Sequence, residues 1–329
     1  MKNTGINREL IYLNKTARRL AGGKRYNEAE DKYKQALKID PENVYILVGI
    51  GDLKCKIRQF EKAIYYYNKS LDVERDNRFA LVGLGDAYRG LNNPGEALRV
   101  WLVYLDLNPD DYKVITRVAD GFRKTGDLKT SKKYYLMALA KNRDDPYALM
   151  GLGNIYLTEG NDDEALKFFE KLIRGPGTPV MALTSAANIC RKRRKYHQAM
   201  SYYDQALDID PGNSHAWHGK ADCLRGMKDF QSAIDGWRMA LKYGMNPRIV
   251  MTRIGDAYIS LKDLDRAKES YNKALAFGYD KFAYLGMARI HVETKQLSAA
   301  MEILAMLADK EPNDMRVIAE FKRFVNKRP

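Results

Sequence analysis

The sequence predicts an all-α fold, an α-solenoid of tandem helix-turn-helix repeats closed by a C-terminal capping helix, and two observations predict it. First, a small residue returns every 34 positions as Ala29, Ala63, Ala97, Ser131, Ala165, Ala199, Ala233 and Ala267. A fixed period in that range marks a stack of identical supersecondary units. Second, an aromatic ring stands four positions after each of them: Tyr33, Tyr67, Trp101, Tyr135, Phe169, Tyr203, Trp237 and Tyr271. Twelve positions before each sits another small residue, from Ala17 and Gly51 through Ala221 and Gly255. Small residues let two helix backbones approach while the ring fills the groove one turn away, so each unit reads as helix A, a tight turn and helix B.

On these residues the chain closely resembles the tetratricopeptide repeat family, and prolines that often close such repeats stand at Pro41, Pro109, Pro211 and Pro312. The resemblance covers about residues 10 to 314 and implies nine repeats, starting near residues 10, 44, 78, 112, 146, 180, 214, 248 and 281, after an N-terminal lead of residues 1–9. It further implies a right-handed superhelix whose A helices line an inner, concave wall.

Taken in order, the first four repeats keep the period without interruption. The fifth ends in Arg174-Gly175-Pro176-Gly177-Thr178-Pro179, where Pro176 should stop helix B early and Thr178 and Pro179 suit the cap and first position of the next helix. The 34-residue count survives there, so a local bend within one domain is expected. In the ninth repeat Ala300 follows Ala267 by 33 residues, which places a deletion around Tyr279 to Lys281. Residues 315–329 are expected to form the capping helix, with Ile318, Phe321 and Val325 on one face and Phe324 flanking it. Lys322 falls where a continuing repeat would need a small residue, as suits the end of an array.

The composition, 30% charged and 45% hydrophobic with no long apolar run, fits a helical array and excludes a membrane-spanning helix. The first twenty residues carry Arg8, Lys15, Arg18 and Arg19 and no continuous apolar core, so no secretory signal is expected. Cys55, Cys190 and Cys223 lack paired spacing and read as small buried thiols in a cytoplasmic protein. There is no phosphate-binding glycine loop, nucleophile elbow or HExxH motif, so neither an enzyme nor a cofactor is expected. His215, His218 and Asp222 share a helical face within reach of a metal, but without a fourth ligand no metal site is expected.

Function must therefore come from the open helix A face. Within a repeat, helical spacing puts positions 2, 5, 9 and 12 on that face. Position 9 forms a ladder of Arg18, Asp52, Asp86, Asp120, Asn154, Asn188, Asp222, Asp256 and Arg289. Beside it runs a basic rail that includes Lys56, Arg89, Arg123, Lys124, Arg191, Lys192 and Arg225. The ladder has two readings. Its acids and amides could hydrogen-bond the main chain of a bound peptide. They could equally satisfy neighbouring repeats, with Arg117 serving Asp120 and Arg253 serving Asp256. Glycines at position 6 (Gly49, Gly83, Gly151, Gly219 and Gly286) leave room either for a ligand backbone or for helix packing. Aromatic residues at position 2, Tyr45, Phe79, Tyr147 and Phe282, suit apolar anchors.

Some members of the family clamp a partner's terminal carboxylate with lysine and asparagine on these positions; Val48, Asp52 and Gly83 stand there instead, so that mode is not expected. The net charge of +14 favours a protein or peptide partner bearing acidic residues. The expectation is a non-catalytic interaction scaffold or adaptor binding a segment in its inner groove. The alternative is RNA association through a basic edge such as Arg191 to Lys195, since the groove acids would repel phosphates. Self-association through exposed array ends is a further option.

Overall fold

The structure, a computed structural model, describes the backbone of residues 2–325 and the side chains of residues 8–324. Every regular element among the described residues is an α-helix. The chain forms two compact units, dividing between Lys171 and Leu172.

The first unit holds the hairpins α1 (Lys2–Gly22) with α2 (Tyr26–Ile39), α3 (Val44–Lys56) with α4 (Phe60–Val73), α5 (Arg78–Gly90) with α6 (Pro94–Leu107), and α7 (Tyr112–Lys124) with α8 (Leu128–Lys141). Then come α9 (Pro146–Thr158) and α10 (Asp162–Arg174), in whose last turn the division falls. The second unit pairs α11 (Val180–Lys192) with α12 (Tyr196–Ile209), α13 (Ser214–Gly226) with α14 (Phe230–Lys242), α15 (Pro247–Ser260) with α16 (Leu264–Ala276), and α17 (Lys281–Glu293) with α18 (Leu297–Lys310), and ends in α19 (Met315–Val325). Odd-numbered helices also pack on one another, α1 on α3 and α3 on α5, α11 on α13 and α15 on α17, so within each unit the A helices present a common face.

Local chemistry sets these boundaries. Asn43, Asn77, Asp111 and Asp145 in the first unit, and Asn213, Asn246 and Asp280 in the second, accept backbone N–H groups of the A helix that each precedes. Such a side-chain cap contributes about 1 kcal/mol. The turn from A to B passes through one left-handed residue, and seven of these are not glycine: Lys24, Arg58, Asn92, Arg194, Lys228, Lys262 and Lys295. The residue after each donates back into the last turn of helix A, as from Arg25 to the Leu20 carbonyl at 2.9 Å and from Asp229 to that of Leu224 at 2.9 Å.

The core of each hairpin is the recurring ring, buried against alanine and glycine. Tyr67 lies between Gly51 of its own repeat and Gly83 of the next, and a methyl on either would enter the ring. Tyr271 is held in the same way by Gly255 and Gly286. The position-6 glycines therefore serve packing: the space they leave is filled by the ring of the preceding repeat.

Four boundary expectations are revised. The N-terminal lead is helical from Lys2, as the start of α1. Pro179, not Thr178, is the N-cap of α11, and the Thr178 hydroxyl instead donates to the Ile173 carbonyl at 3.0 Å, closing α10. The four-residue loop 277–280 keeps the length of its equivalents, so the missing residue of the ninth repeat is absorbed at the end of α16. On α19 the buried residues are Val317 and Phe324 with Phe321 half-buried between them, one position out of phase with Ile318, because the Asp314 cap fixes where the helix starts. The Val325 side chain and residues 326–329 of the capping segment lie outside the described residues.

Candidate functional site

Position 9 of helix A lies across from the buried ring of helix B, and the ring decides what that side chain does. Where the ring is tyrosine, its hydroxyl donates: Tyr67 to Asp52 at 2.7 Å in the first unit, and Tyr203 to Asn188 and Tyr271 to Asp256, each at 2.8 Å, in the second. Where the ring is tryptophan no hydroxyl is available, and the indole N–H of Trp101 and of Trp237 has no hydrogen-bond partner among the described residues. Arginines take the carboxylate there. Arg117 reaches back one repeat to hold Asp86 through Nε at 3.0 Å and Nη2 at 3.2 Å, joined by Arg89 at 2.9 Å. Arg191 reaches forward to Asp222 at 2.9 Å.

These bonds shape the titration of the face. Burial raises the carboxyl pKa of Asp256, against the lowering pull of the Tyr271 hydroxyl and of Arg253, Arg289 and Arg225. Asp52 keeps solvent access, yet its surroundings likewise raise it, desolvation first, opposed by Tyr67, Arg18 and Lys56. Burial, and then the Asp120 charge, pushes the Tyr135 phenol up to about 12. His218 is pushed down by burial, with Asp222 raising it and Arg253 and Arg191 lowering it.

In the first unit Asp52, Phe79 and Asp86 line one cleft of about 860 Å³, together with Arg18, Tyr33, Lys56, Arg78, Tyr104 and Asp111. Tyr104 donates to Asp111 at 2.8 Å, and the Arg78 guanidinium lies 4.7 Å from the centre of the Phe79 ring. In the second unit Arg253, Asp256 and Phe282 line a cleft of about 850 Å³ built by α15, α17 and α19. Among the other expected site residues, Tyr45 and Tyr147 stand out into solvent, 59% and 77% exposed, enough to serve as anchors. Asp120 is held by Arg123 at 2.5 Å, and Asn154, opposite Phe169, makes no side-chain hydrogen bond among the described residues.

Three expectations are corrected. Asp222 is buried, only 7% exposed, because Arg191, Arg225 and His218 close over it; it offers nothing to a ligand. Arg117 serves Asp86, not Asp120, since a position-6 side chain points back along the stack. Asp256 takes its hydrogen bond from Tyr271, and Arg253 acts on it only through its charge.

Reading position 2 for aromatics alone missed half of the apolar row: Ile11 in the first unit, and Met181 and Ile249 in the second, are also exposed. Searching that position for any apolar residue would have found them. Arg316 and Arg323 were missed because the capping helix was read only for its apolar face. Among the described residues no cluster of histidine, cysteine or acid could hold a metal ion, and no helix is long and apolar enough to cross a membrane.

Models of the tetratricopeptide repeat match residues 118–179, 191–253 and 250–277. A general transcriptional corepressor, trfA of Dictyostelium discoideum, is 28% identical over 118 residues, covering 35% of this chain and 8% of the relative. The chain thus matches only a small part of that relative's length. Among solved structures, the C-terminal part of a tetratricopeptide repeat protein of Cytophaga hutchinsonii superposes with a TM-score of 0.61 at 16% identity, over 73% of this chain and 98% of that one. The anaphase-promoting-complex assembly Cut9–Hcn1 gives 0.54 at 15% identity, over 90% of this chain and 59% of that one. These likenesses concern the fold.

Proposed function

The chain belongs to the tetratricopeptide repeat family, and from that premise we propose that it is a non-catalytic scaffold whose helix A face takes up a segment of a partner protein. The observation that carries this reading is the row of exposed apolar side chains at position 2, Tyr45, Phe79 and Tyr147 in the first unit and Met181, Ile249 and Phe282 in the second. An apolar row fixed on rigid helices supplies anchors at little ordering cost. Beside it, Asp52 and Asn188 remain open to solvent and can accept from a peptide main chain, while Asp86 and Asp120, already held by arginines, act by keeping Arg89, Arg117 and Arg123 in place. A cytoplasmic setting is part of the same proposal, because Cys55, Cys190 and Cys223 are free thiols.

The test is a peptide selection. Random peptides displayed on phage are panned on the full chain, and the winners are measured against Tyr45→Ser/Phe79→Ser and, as a control on the opposite helices, Tyr65→Ser. The helix A double variant should weaken binding by roughly tenfold or more, with an unchanged circular dichroism spectrum. Equal loss in the Tyr65→Ser control would refute the assignment of the face.

A further inference from the structure

In the cleft between α15, α17 and α19 every acid is already committed. Asp256 accepts from Tyr271. Asp280 caps α17 through the Phe282 and Ala283 amides and takes the Thr252 hydroxyl at 3.2 Å. Glu311 is held by Lys281 at 3.5 Å and Glu320 by Arg289 at 2.5 Å. The cations are not balanced in return. Arg248 gives one N–H to the Tyr279 carbonyl, and the guanidinium groups of Arg253, Arg316 and Arg323 make no hydrogen bond or ion pair among the described residues. Arg316 lies over the Phe282 ring at 5.4 Å, leaving its N–H edge free.

We propose that this cleft binds an acidic stretch of a partner polypeptide, its carboxylates meeting Arg253, Arg316 and Arg323 while an apolar side chain lies between Ile249 and Phe282. The inference rests on the reading that the helix A face takes up a polypeptide, and it names the chemistry of one part of that face. Guanidinium groups pair with carboxylates through two parallel hydrogen bonds, and those left unpaired around a cleft are its unmet demand for anions. Their spread decides the kind of anion. Arg316 and Arg323 are seven residues apart on one helix, a rise of about 10 Å, and Arg253 stands on a helix two removed in the stack. One terminal carboxylate cannot span them, whereas an internal segment with several acidic residues can. Ile249 and Leu285 offer a peptide side chain an apolar contact and give a phosphate backbone nothing, and Asp256 and Glu320 would repel phosphates.

The experiment is fluorescence anisotropy on the full chain with a labelled glutamate-rich peptide carrying one leucine. Its C-terminally amidated form, its glutamine counterpart and an oligouridylate of equal length complete the set. The acidic peptide and its amidated form should bind alike, and the glutamine peptide roughly tenfold or more weaker. Arg253→Gln/Arg316→Gln/Arg323→Gln should lose the acidic peptide by a similar factor, and Arg323→Gln alone by a smaller one, should the triple variant fold poorly. Undiminished binding by these variants, dependence on a free C-terminus, or an oligouridylate that binds as tightly as the peptide would each overturn the proposal. Loss of panned peptides in Tyr45→Ser/Phe79→Ser with no effect of the arginine changes would sink this inference and leave the broader reading standing.

Discussion

Replacing Asp256 separates the structural work of position 9 from any binding role. Its carboxylate is the acceptor for the hydroxyl of Tyr271, a side chain only 1% exposed, so Asp256→Ala leaves a buried donor unpaired. That costs roughly 1–3 kcal/mol. For a unit of this size each kcal/mol lowers Tm by about 2–4 °C, so a fall of roughly 2–10 °C is expected in a calorimetric or circular dichroism melt. Asp256→Asn keeps the acceptor, in the arrangement that Asn188 already makes with Tyr203, and removes a charge that burial disfavours. It should therefore match or exceed the parent at neutral pH. The sign with pH follows from the raised pKa: the folded state holds the Asp256 proton more tightly than the unfolded chain. The parent's contribution from this group is thus fully present below an unfolded value of about 4 and is lost as pH rises through the folded value. The advantage of the asparagine variant should grow across that window and then level off. An alanine variant as stable as the parent, or an asparagine variant as damaged as the alanine one, would refute the reasoning.

Two further outcomes follow from the packing. Gly83→Ala drives a methyl into the Tyr67 ring and should cost about 1–3 kcal/mol in denaturant unfolding, whereas Gly95→Ala, whose nearest neighbour is the Asn93 side chain at 3.8 Å, should be neutral or stabilising. Lys228→Gly relieves a left-handed backbone at φ 67 and should change stability by less than about 1 kcal/mol, while Gly126→Ala, at φ 92, should destabilise by about 1–2 kcal/mol in the same assay.

The period alone made the helices and their pairing legible, because a small residue and a ring at fixed offsets describe one hairpin and little else. The turns were less so: Lys24, Arg58 and Lys228 adopt a conformation usually signalled by glycine, imposed on them by the helices they join. Position 9 was readable as a row but not as a set of roles. Whether an acid there stays open depends on a ring fifteen residues on and on arginines a repeat away, as Asp52 under Tyr67 and Asp222 under Arg191 show. Phe79, Asp52 and Asp86 were found together because they follow the repeat. Arg316 and Arg323 stand outside the repeat, so no register could point to them.

The central claim, that partners meet the helix A face, is tested most directly by site-specific photocrosslinking in the native cell. A photoreactive residue placed at Tyr147 or Met181 should give discrete polypeptide adducts, and one placed at Tyr65 or Leu136 on the B helices should give none above background. Adducts from the B helices alone, or adducts to RNA in place of protein, would contradict it.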